Sequence, residues 1–497
     1  MSSVLLVCLA GAAIVWLLII ALHTAPRARA LRPTAPKTST TSVPPARAAY
    51  IESLPRDGRP PISCSFVEFD ERGDYLDFKQ HRRAYDRIRE LAGRAEQLIS
   101  IVFVHGWKNS SHSGDVVEFV NFLEDVACAH PGARVHGTFL AWRGNSFRHA
   151  LDTRSAAYSR TCELFGGPIV DTRYARRRWA NFLLWLPEQL SYWSRKAGAE
   201  YKVSGLPIIR TVFIVGQVAR RFGRANTRSF LVGHSFGALM LEQSFAPTTI
   251  SRLIDEWPWG DRPEGWTASP NPLPFDLTLL INSAAPSIYA KQLSGFMISH
   301  QRALAKDGVE GADAPVIASI TSEKDSATGL MHKYGNLLAW MMPTLWRRYA
   351  GFGDFILHDP SRKTTGTVAK EISIWQWFFY RRTPGHNPLL VNMWITPRGT
   401  AAVAAPDPSE TIIPLGPGWQ ATSVPPKPQW SRYRGYTPVC ITPRARSTYW
   451  IMRCPGTIMS GHNDIWNKTA RETYEHLIAA VTTLRQQPPR PYVPSRG

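Results

Sequence analysis

The residues with the clearest chemical potential are the five of Gly233-His234-Ser235-Phe236-Gly237. A short apolar segment typical of a buried strand, Ser229–Val232, precedes them, and a helical pattern begins at Ala238. A G-x-S-x-G sequence between a strand and a helix forms a tight, strained turn that presents the serine hydroxyl as a nucleophile. We therefore predict that Ser235 lies at such a turn. Gly233 and Gly237 are expected there because a Cβ atom would collide with neighbouring backbone.

A serine nucleophile needs a base that removes its proton. His462 is the best candidate, because it follows Gly461 in a loop between an apolar strand-like segment, Tyr449–Arg453, and a predicted helix, Asn467–Thr483. His105 is an alternative base, although we favour a role in which it fixes its own loop through a hydrogen bond. His234 is expected to pack beside the site or to support it indirectly rather than to act as the base.

The base in turn needs an acid that orients it. The strand-like segment Val316–Thr321 is followed by a loop that contains Glu323 and Asp325. Asp325 is the preferred acid, and Glu323 is the reserve. The alternative is that both carboxylates are ordinary solvated charges of a loop.

The oxyanion formed during attack on a carbonyl group needs hydrogen-bond donors. The apolar segment Ile101–Val104 ends in His105-Gly106-Trp107, upstream of the serine turn. In the arrangement around such a turn, one donor comes from this kind of loop and the other from the residue after the nucleophile. The backbone N–H groups of Trp107 and Phe236 are therefore the predicted donors.

The elements that must position these residues alternate between strands and helices. Strands with apolar residues on both faces predict a mainly parallel sheet covered by helices on both sides. Two insertions, residues 145–205 and 329–445, interrupt the alternation within a domain of residues 50–486. The predicted strands are Leu98–Val104, Val135–Trp142, Ser229–Gly233, Leu277–Asn282, Val316–Thr321 and Tyr449–Arg453.

Residues 1–22 are predicted to anchor the chain in a membrane. Val4–Leu22 is an uninterrupted apolar run of 19 residues, and as a helix it would span about 28 Å, which matches the hydrocarbon core of a bilayer. A cleaved signal peptide is the alternative. It is disfavoured because the basic start is missing and Pro26 directly follows the small-residue site at Ala25.

The segments that flank the domain differ from it in composition. Residues 23–49 are rich in Pro, Ala, Thr and Arg and predict a flexible linker. Residues 487–497 are rich in Pro and Arg and predict a disordered tail. Basic residues just after the apolar run favour a cytoplasmic position for the domain, namely Arg27, Arg29, Arg32 and Lys37.

Charge and cysteine content narrow the possible partners. The formal net charge of +20 fits either solvated basic faces or attraction to an anionic membrane surface. No helix-turn-helix, zinc-finger or RNA-binding signature is present, so nucleic acid is not an expected partner. The six cysteines show no CxxC or Cys/His spacing of a metal site. Cys440 and Cys454 would be either a disulfide pair or free thiols.

Together these motifs resemble the α/β-hydrolase superfamily, because the chain carries Ser235, Asp325 and His462 in the order serine, acid, histidine. More narrowly, the chain is similar to bacterial membrane-anchored hydrolases of lipase/esterase type. The resemblance implies a central sheet of about eight strands, neither metal nor organic cofactor, and a small-molecule or lipid-like ester as substrate. It also implies attachment to a bacterial inner membrane. Cleavage of a thioester or an amide by the same residues, and a non-catalytic membrane-tethered scaffold, are the alternatives.

Overall fold

The structure is a computed structural model of the 497-residue chain. The ranges that it describes are residues 49–53, 60–144, 156–165, 198–203, 206–222, 227–245, 273–285, 314–325, 393–398, 412–415, 418–422 and 448–486, with a few single positions between them. All statements about the fold refer to these residues.

Eleven strands of the described residues form one sheet, in the order β1-β2-β4-β3-β5-β6-β7-β11-β8-β10-β9. Eight neighbouring strands, from β2 to β8 in that order, are parallel, whereas β1, β10 and β9 are antiparallel at the two edges. The strands are β1 Tyr50–Glu52, β2 Ile62–Glu68, β3 Leu98–Val104, β4 Arg134–Ala141, β5 Arg228–His234, β6 Leu277–Ile281, β7 Ile317–Ser322, β8 Met393–Pro397, β9 Ile412–Pro414, β10 Trp419–Thr422 and β11 Tyr449–Cys454.

The predicted α/β class and mainly parallel sheet are confirmed, and each of the six strands named in the prediction above agrees with an observed one to within one residue at either end. The expected number of about eight strands is wrong. Edge strands account for the difference, because β1, β9 and β10 have only three or four residues each. Segments this short show no recognisable alternation of apolar and polar residues.

Helices cover the sheet on both faces. They are α1 Phe78–Arg94, α2 Gly114–Ala129, α3 Ala156–Leu164, α4 Leu206–Phe222, α5 Phe236–Ser244 and α6 Lys468–Gln486, together with a π-helical segment Gly198–Val203. The side chains of α2, α3 and α6 pack in one apolar core, and those of α1, α4 and α5 pack in the other. Strand β3 contributes side chains to both cores. Ile101 and Phe103 pack in the first core, and Val102 and Val104 pack in the second.

Local sequence explains where two of the helices begin. Asp77 caps α1 by accepting a hydrogen bond from the N–H of Lys79 at 2.9 Å. Asn467 does the same for α6, where its Oδ1 accepts from the N–H of Ala470 at 3.0 Å. The helix predicted for residues 467–483 is thus confirmed and ends three residues later than expected.

Most of the predicted terminal and inserted segments lie outside the described residues. This holds for nearly all of the anchor 1–22, for most of the linker 23–49 and for the tail 487–497. No helix in the described ranges is long and apolar enough to cross a bilayer. Within the two predicted insertions, the described elements are α3, the π-helical segment and strands β8, β9 and β10. The last three extend the central sheet.

Candidate active site

Ser235 lies at the sharp turn between β5 and α5. Its backbone dihedrals, φ 55° and ψ −115°, fall in a region that residues with a side chain rarely adopt, at a cost on the order of 1–3 kcal/mol. The turn is held by the N–H of Ser235, which donates to the carbonyl of Ile281 on β6 at 3.0 Å. The predicted strained serine turn is therefore observed.

The two glycines of the motif are required by close packing. A Cβ atom at Gly233 would lie 2.9 Å from the Cα of Ala238, and one at Gly237 would lie 2.1 Å from the carbonyl oxygen of Val104. Both distances are shorter than a carbon atom tolerates from backbone. The spacing G-x-S-x-G thus reflects how closely α5 approaches β3 and its own strand.

His462 bridges the serine and the acid. Its Nε2 lies 2.7 Å from Ser235 Oγ, and its Nδ1 lies 3.0 Å from each carboxylate oxygen of Asp325. The structure therefore brings together three residues that are separated by up to 227 positions along the chain. With a proton on Nδ1 donated to Asp325, Nε2 is the atom that accepts the serine proton.

Asp325 and Glu323 share a loop but have different surroundings. Asp325 is buried, with 2% of its surface exposed, and it directly follows the turn at the end of β7, where its N–H donates to the carbonyl of Ser322 at 3.2 Å. Burial raises the pKa of Glu323 to about 7, while the charges of Arg453 and Lys324 lower it. Because the Nδ1 of His462 hydrogen-bonds to Asp325, the geometry favours Asp325 over Glu323 as the acid that orients the base.

The loop after β3 faces the nucleophile as predicted. Gly106 packs so closely on the turn that an added Cβ atom would lie 2.8 Å from Ser235 Cβ. The next residue, Trp107, is half-buried, and its ring centroid lies 6.4 Å from that of Phe236. The loop and the serine turn thus approach each other most closely at Gly106 and Ser235. The two predicted oxyanion donors, the backbone N–H groups of Trp107 and Phe236, belong to the residues that directly follow these two.

His105 fixes this loop. Its Nδ1 donates to the carbonyl of Gly106 at 2.8 Å, and its own carbonyl accepts a hydrogen bond from the indole N–H of Trp142 at 2.8 Å. Its ring also stacks on Trp142 and Phe139. Burial lowers the pKa of His105 to about 4, so the ring stays neutral near pH 7. These contacts match the structural role that we favoured over a catalytic one.

His234 supports the loop that carries the base. Its Nε2 donates to the backbone carbonyl of His462 at 3.0 Å. Burial lowers the pKa of His234 to about 3, and the neighbouring His462 lowers it further. A neutral His234 therefore supports the site by positioning the peptide of His462.

Asn282 is a site residue that the sequence reasoning missed. Its Nδ2 donates to the same carbonyl of His462 at 3.0 Å, and its Oδ1 accepts from the N–H of Ser322 at 2.9 Å. Its φ of 45° is one that asparagine tolerates better than most residues. The available signal was a polar residue directly after β6, the strand next to the nucleophile strand.

A buried carboxyl group lies on the helix that starts at the nucleophile. Burial raises the pKa of Glu242 to about 8, and a hydrogen bond with Ser283 lowers it. Glu242 is therefore mostly protonated near pH 7. It does not contribute a charge to the site under these conditions.

Candidate metal ligands and cysteines were the remaining groups with chemical potential. In the described ranges, no group of three or more His, Cys, Asp or Glu side chains lies together as a metal site would require. Cys454 is a free buried thiol, and Cys440 lies outside the described residues.

In comparisons with protein-family models, curated proteins and solved structures, nothing matches this chain. A function for the site is therefore inferred from its geometry and chemistry. The arrangement of Ser235, His462 and Asp325 suits nucleophilic attack on a carbonyl group.

Proposed function

We propose that the chain is a serine hydrolase of α/β-hydrolase type that cleaves carboxylic esters through an acyl-enzyme on Ser235. The observation that carries this proposal is the continuous hydrogen-bonded path from Asp325 through His462 to Ser235 Oγ. The strained conformation of Ser235 supports it, because a protein that only binds a partner has no use for a strained serine.

The first half of the reaction forms the acyl-enzyme. Ser235 Oγ attacks the ester carbonyl carbon while its proton moves to His462 Nε2, and Asp325 stabilises the resulting imidazolium. The N–H groups of Trp107 and Phe236 would hold the oxyanion. The bond from the carbonyl carbon to the leaving oxygen then breaks, and His462 donates the proton that it took from Ser235 to that oxygen.

The second half releases the acid. Water attacks the acyl carbon while His462 Nε2 takes its proton, and a second oxyanion forms in the same place. The bond to Ser235 Oγ breaks, and His462 gives the proton back to the serine. Neither a metal nor an organic cofactor takes part in this sequence of steps.

The anchor belongs to the same proposal. The 19 apolar residues Val4–Leu22 are long enough to hold the chain in a bilayer as a single helix. We expect a bacterial inner membrane as the location. The substrate would then be a small-molecule or lipid-like ester.

An ester panel graded by acyl length tests the activity, with thioesters and amides of the same acyl groups included. Ser235→Ala and His462→Ala should abolish turnover. Ser244→Ala, at the far end of α5, and His476→Ala, on α6, are matched controls that should retain it. Turnover of thioesters or amides in preference to esters would reassign the bond that is cleaved. A folded chain that turns over none of these compounds would instead favour a non-catalytic scaffold.

A further inference from the structure

Arg32 belongs to the predicted linker, yet it is fully buried in the domain. Its backbone N–H donates to Glu68 Oε2 at 3.0 Å, and its carbonyl accepts a hydrogen bond from Gln80 Nε2 at 2.8 Å. Its side-chain Nε–H donates to the carbonyl of Ser111 at 3.0 Å. The guanidinium carbon lies 3.7 Å from the centre of the Phe66 ring. Backbone and side chain of this one linker residue are thus both held by the domain.

The domain side of this contact is a hydrogen-bonded polar network. Glu68 Oε1 accepts from the hydroxyl of Ser111 at 2.5 Å, and Glu68 Oε2 also accepts from Gln80 Nε2 at 2.9 Å. The carboxylate of Glu68 faces Arg32 as a counter-charge. A buried charge is tolerated when it is paired and hydrogen-bonded in this way. The guanidinium group of Arg32 therefore has both a counter-charge and a hydrogen-bond acceptor within the domain.

Arg32 is docked on the edge of the sheet that carries the candidate active site. Glu68, at the end of β2, pairs with Ala141 on β4. On β3, Val104 pairs with Leu140, the residue before Ala141, and also with Gly233 on β5, the residue before His234. Glu68 is therefore level with His234, three strands away, at a distance of about 14 Å given the usual spacing of strands.

The length of the connecting chain limits how the domain is oriented. Arg32 follows Leu22, the end of the predicted anchor, by ten positions, which span at most about 34 Å when fully extended. The sheet is about 23 Å deep along the seven residues of β3. If the opposite edge faced the bilayer, this connection would use most of its length along the side of the domain. It reaches Arg32 without strain when the active-site edge faces the membrane.

We propose that Arg32 docks the linker beside the active site and thereby holds its opening against the bilayer that carries the anchor. The preferred substrate is then an ester of a membrane lipid rather than a water-soluble ester. This inference rests on the proposed function and on the proposed anchor.

The activity test uses the full chain in phosphatidylethanolamine/phosphatidylglycerol vesicles, with one fluorogenic ester in the lipid and one short ester in solution. A flexible Gly/Ser insertion of about 20 residues after Thr24 lengthens the connection between anchor and Arg32. Arg32→Ala removes this contact, and the next described contact with the domain is at Ala49, 27 positions after Leu22, whose carbonyl accepts from the N–H of Phe66 at 2.7 Å. Because effective concentration falls with roughly the 3/2 power of linker length, each change should lower turnover of the lipid ester about fivefold. Turnover of the soluble ester should not change.

Two matched controls separate docking from other effects. The same insertion after Thr40 leaves the path from anchor to Arg32 unchanged, and Arg29→Ala removes an equal charge from the same segment. Both should leave turnover of the lipid ester unchanged. The inference would be overturned if the insertions after Thr24 and Thr40 lowered turnover of the lipid ester equally, or if neither lowered it. It would also be overturned if Arg32→Ala lowered turnover of the lipid ester and of the soluble ester to the same extent.

A distance measurement keeps the orientation testable even without activity. A fluorescent amino acid replaces either Arg72, in the exposed turn after β2, or Gly132, in the exposed turn at the opposite edge of the sheet. An added Cβ atom at Gly132 meets open space. Energy transfer to acceptor dyes on lipid headgroups should be stronger from position 72. Equal or weaker transfer from position 72, or a chain that does not sediment with the vesicles, would refute the orientation. Loss of both ester activities with strong transfer from position 72 would refute only the proposed function.

Discussion

Replacing Asp325 with asparagine keeps the shape of the side chain and removes its charge. In the structure both carboxylate oxygens lie 3.0 Å from His462 Nδ1, so the aspartate accepts a proton that must sit on Nδ1. An asparagine amide can instead donate to Nδ1, which leaves the proton on Nε2. Nε2 then cannot accept the proton of Ser235, although it is only 2.7 Å from Oγ.

The magnitude follows from the loss of both the tautomer and the imidazolium partner. In a triad this loss lowers kcat by about 10⁴-fold, which corresponds to about 5.5 kcal/mol of barrier. We expect that loss in kcat for Asp325→Asn on the best ester of the panel. The fold should persist, because the variant side chain is isosteric, and circular dichroism and thermal unfolding check this.

Glu323→Gln is the matched control, because it makes the same change two residues away. The side chain of Glu323 interacts with Arg453 and Lys324, so its loss should alter kcat by less than about threefold. If Glu323→Gln were as damaging as Asp325→Asn, or if Asp325→Asn kept more than about a tenth of the activity, our reasoning about the acid would be refuted.

Three further predictions address the support of the site. Asn282→Ala should lower kcat by about tenfold to a hundredfold with little change in KM, because the base loop shifts, and steady-state kinetics measure both. Unchanged kcat would remove Asn282 from the site. Gly106→Ala places a Cβ atom 2.8 Å from Ser235 Cβ and should abolish ester turnover, whereas Gly93→Ala, where a Cβ atom meets open space, should not. Glu242→Gln tests pH dependence through urea unfolding at pH 5 and pH 8. Burial raises the pKa of Glu242 from 4.5 to about 8, so the folded protein retains a proton that the unfolded chain releases, and stability falls as pH rises through this window. Between pH 5 and pH 8, the free energy of unfolding should therefore fall by about 3 kcal/mol less in the variant than in the natural chain. An unaltered pH dependence would contradict the raised pKa of Glu242.

The sequence was sufficient to predict the central strands and the residues at their ends. Strands such as β3 and β5 are apolar on both faces because helices cover both sides of the sheet. In a parallel sheet the carboxyl ends of neighbouring strands lie at one edge. Ser235, Asp325 and His462 each follow a strand that can be recognised from its sequence. Their proximity at this edge could therefore be predicted from the order of the strands along the chain.

Other features depend on tertiary contacts that leave no local pattern. The strands β8 to β10 are short and lie within a predicted insertion, so only their pairing with β11 and with each other defines them. Asn282 takes its role from hydrogen bonds to a loop 180 positions away. Arg32 resembles any other arginine of a basic linker until Glu68 and Ser111 surround it.

The central claim is that Ser235 is a nucleophile activated by His462. The most direct measurement is mass-spectrometric identification of the residue that a fluorophosphonate probe modifies in the folded full-length chain. Our account predicts an adduct on Ser235, none on Ser244, and strongly slowed modification in His462→Ala. A folded chain without an adduct on Ser235, or an unchanged rate in His462→Ala, would contradict the account.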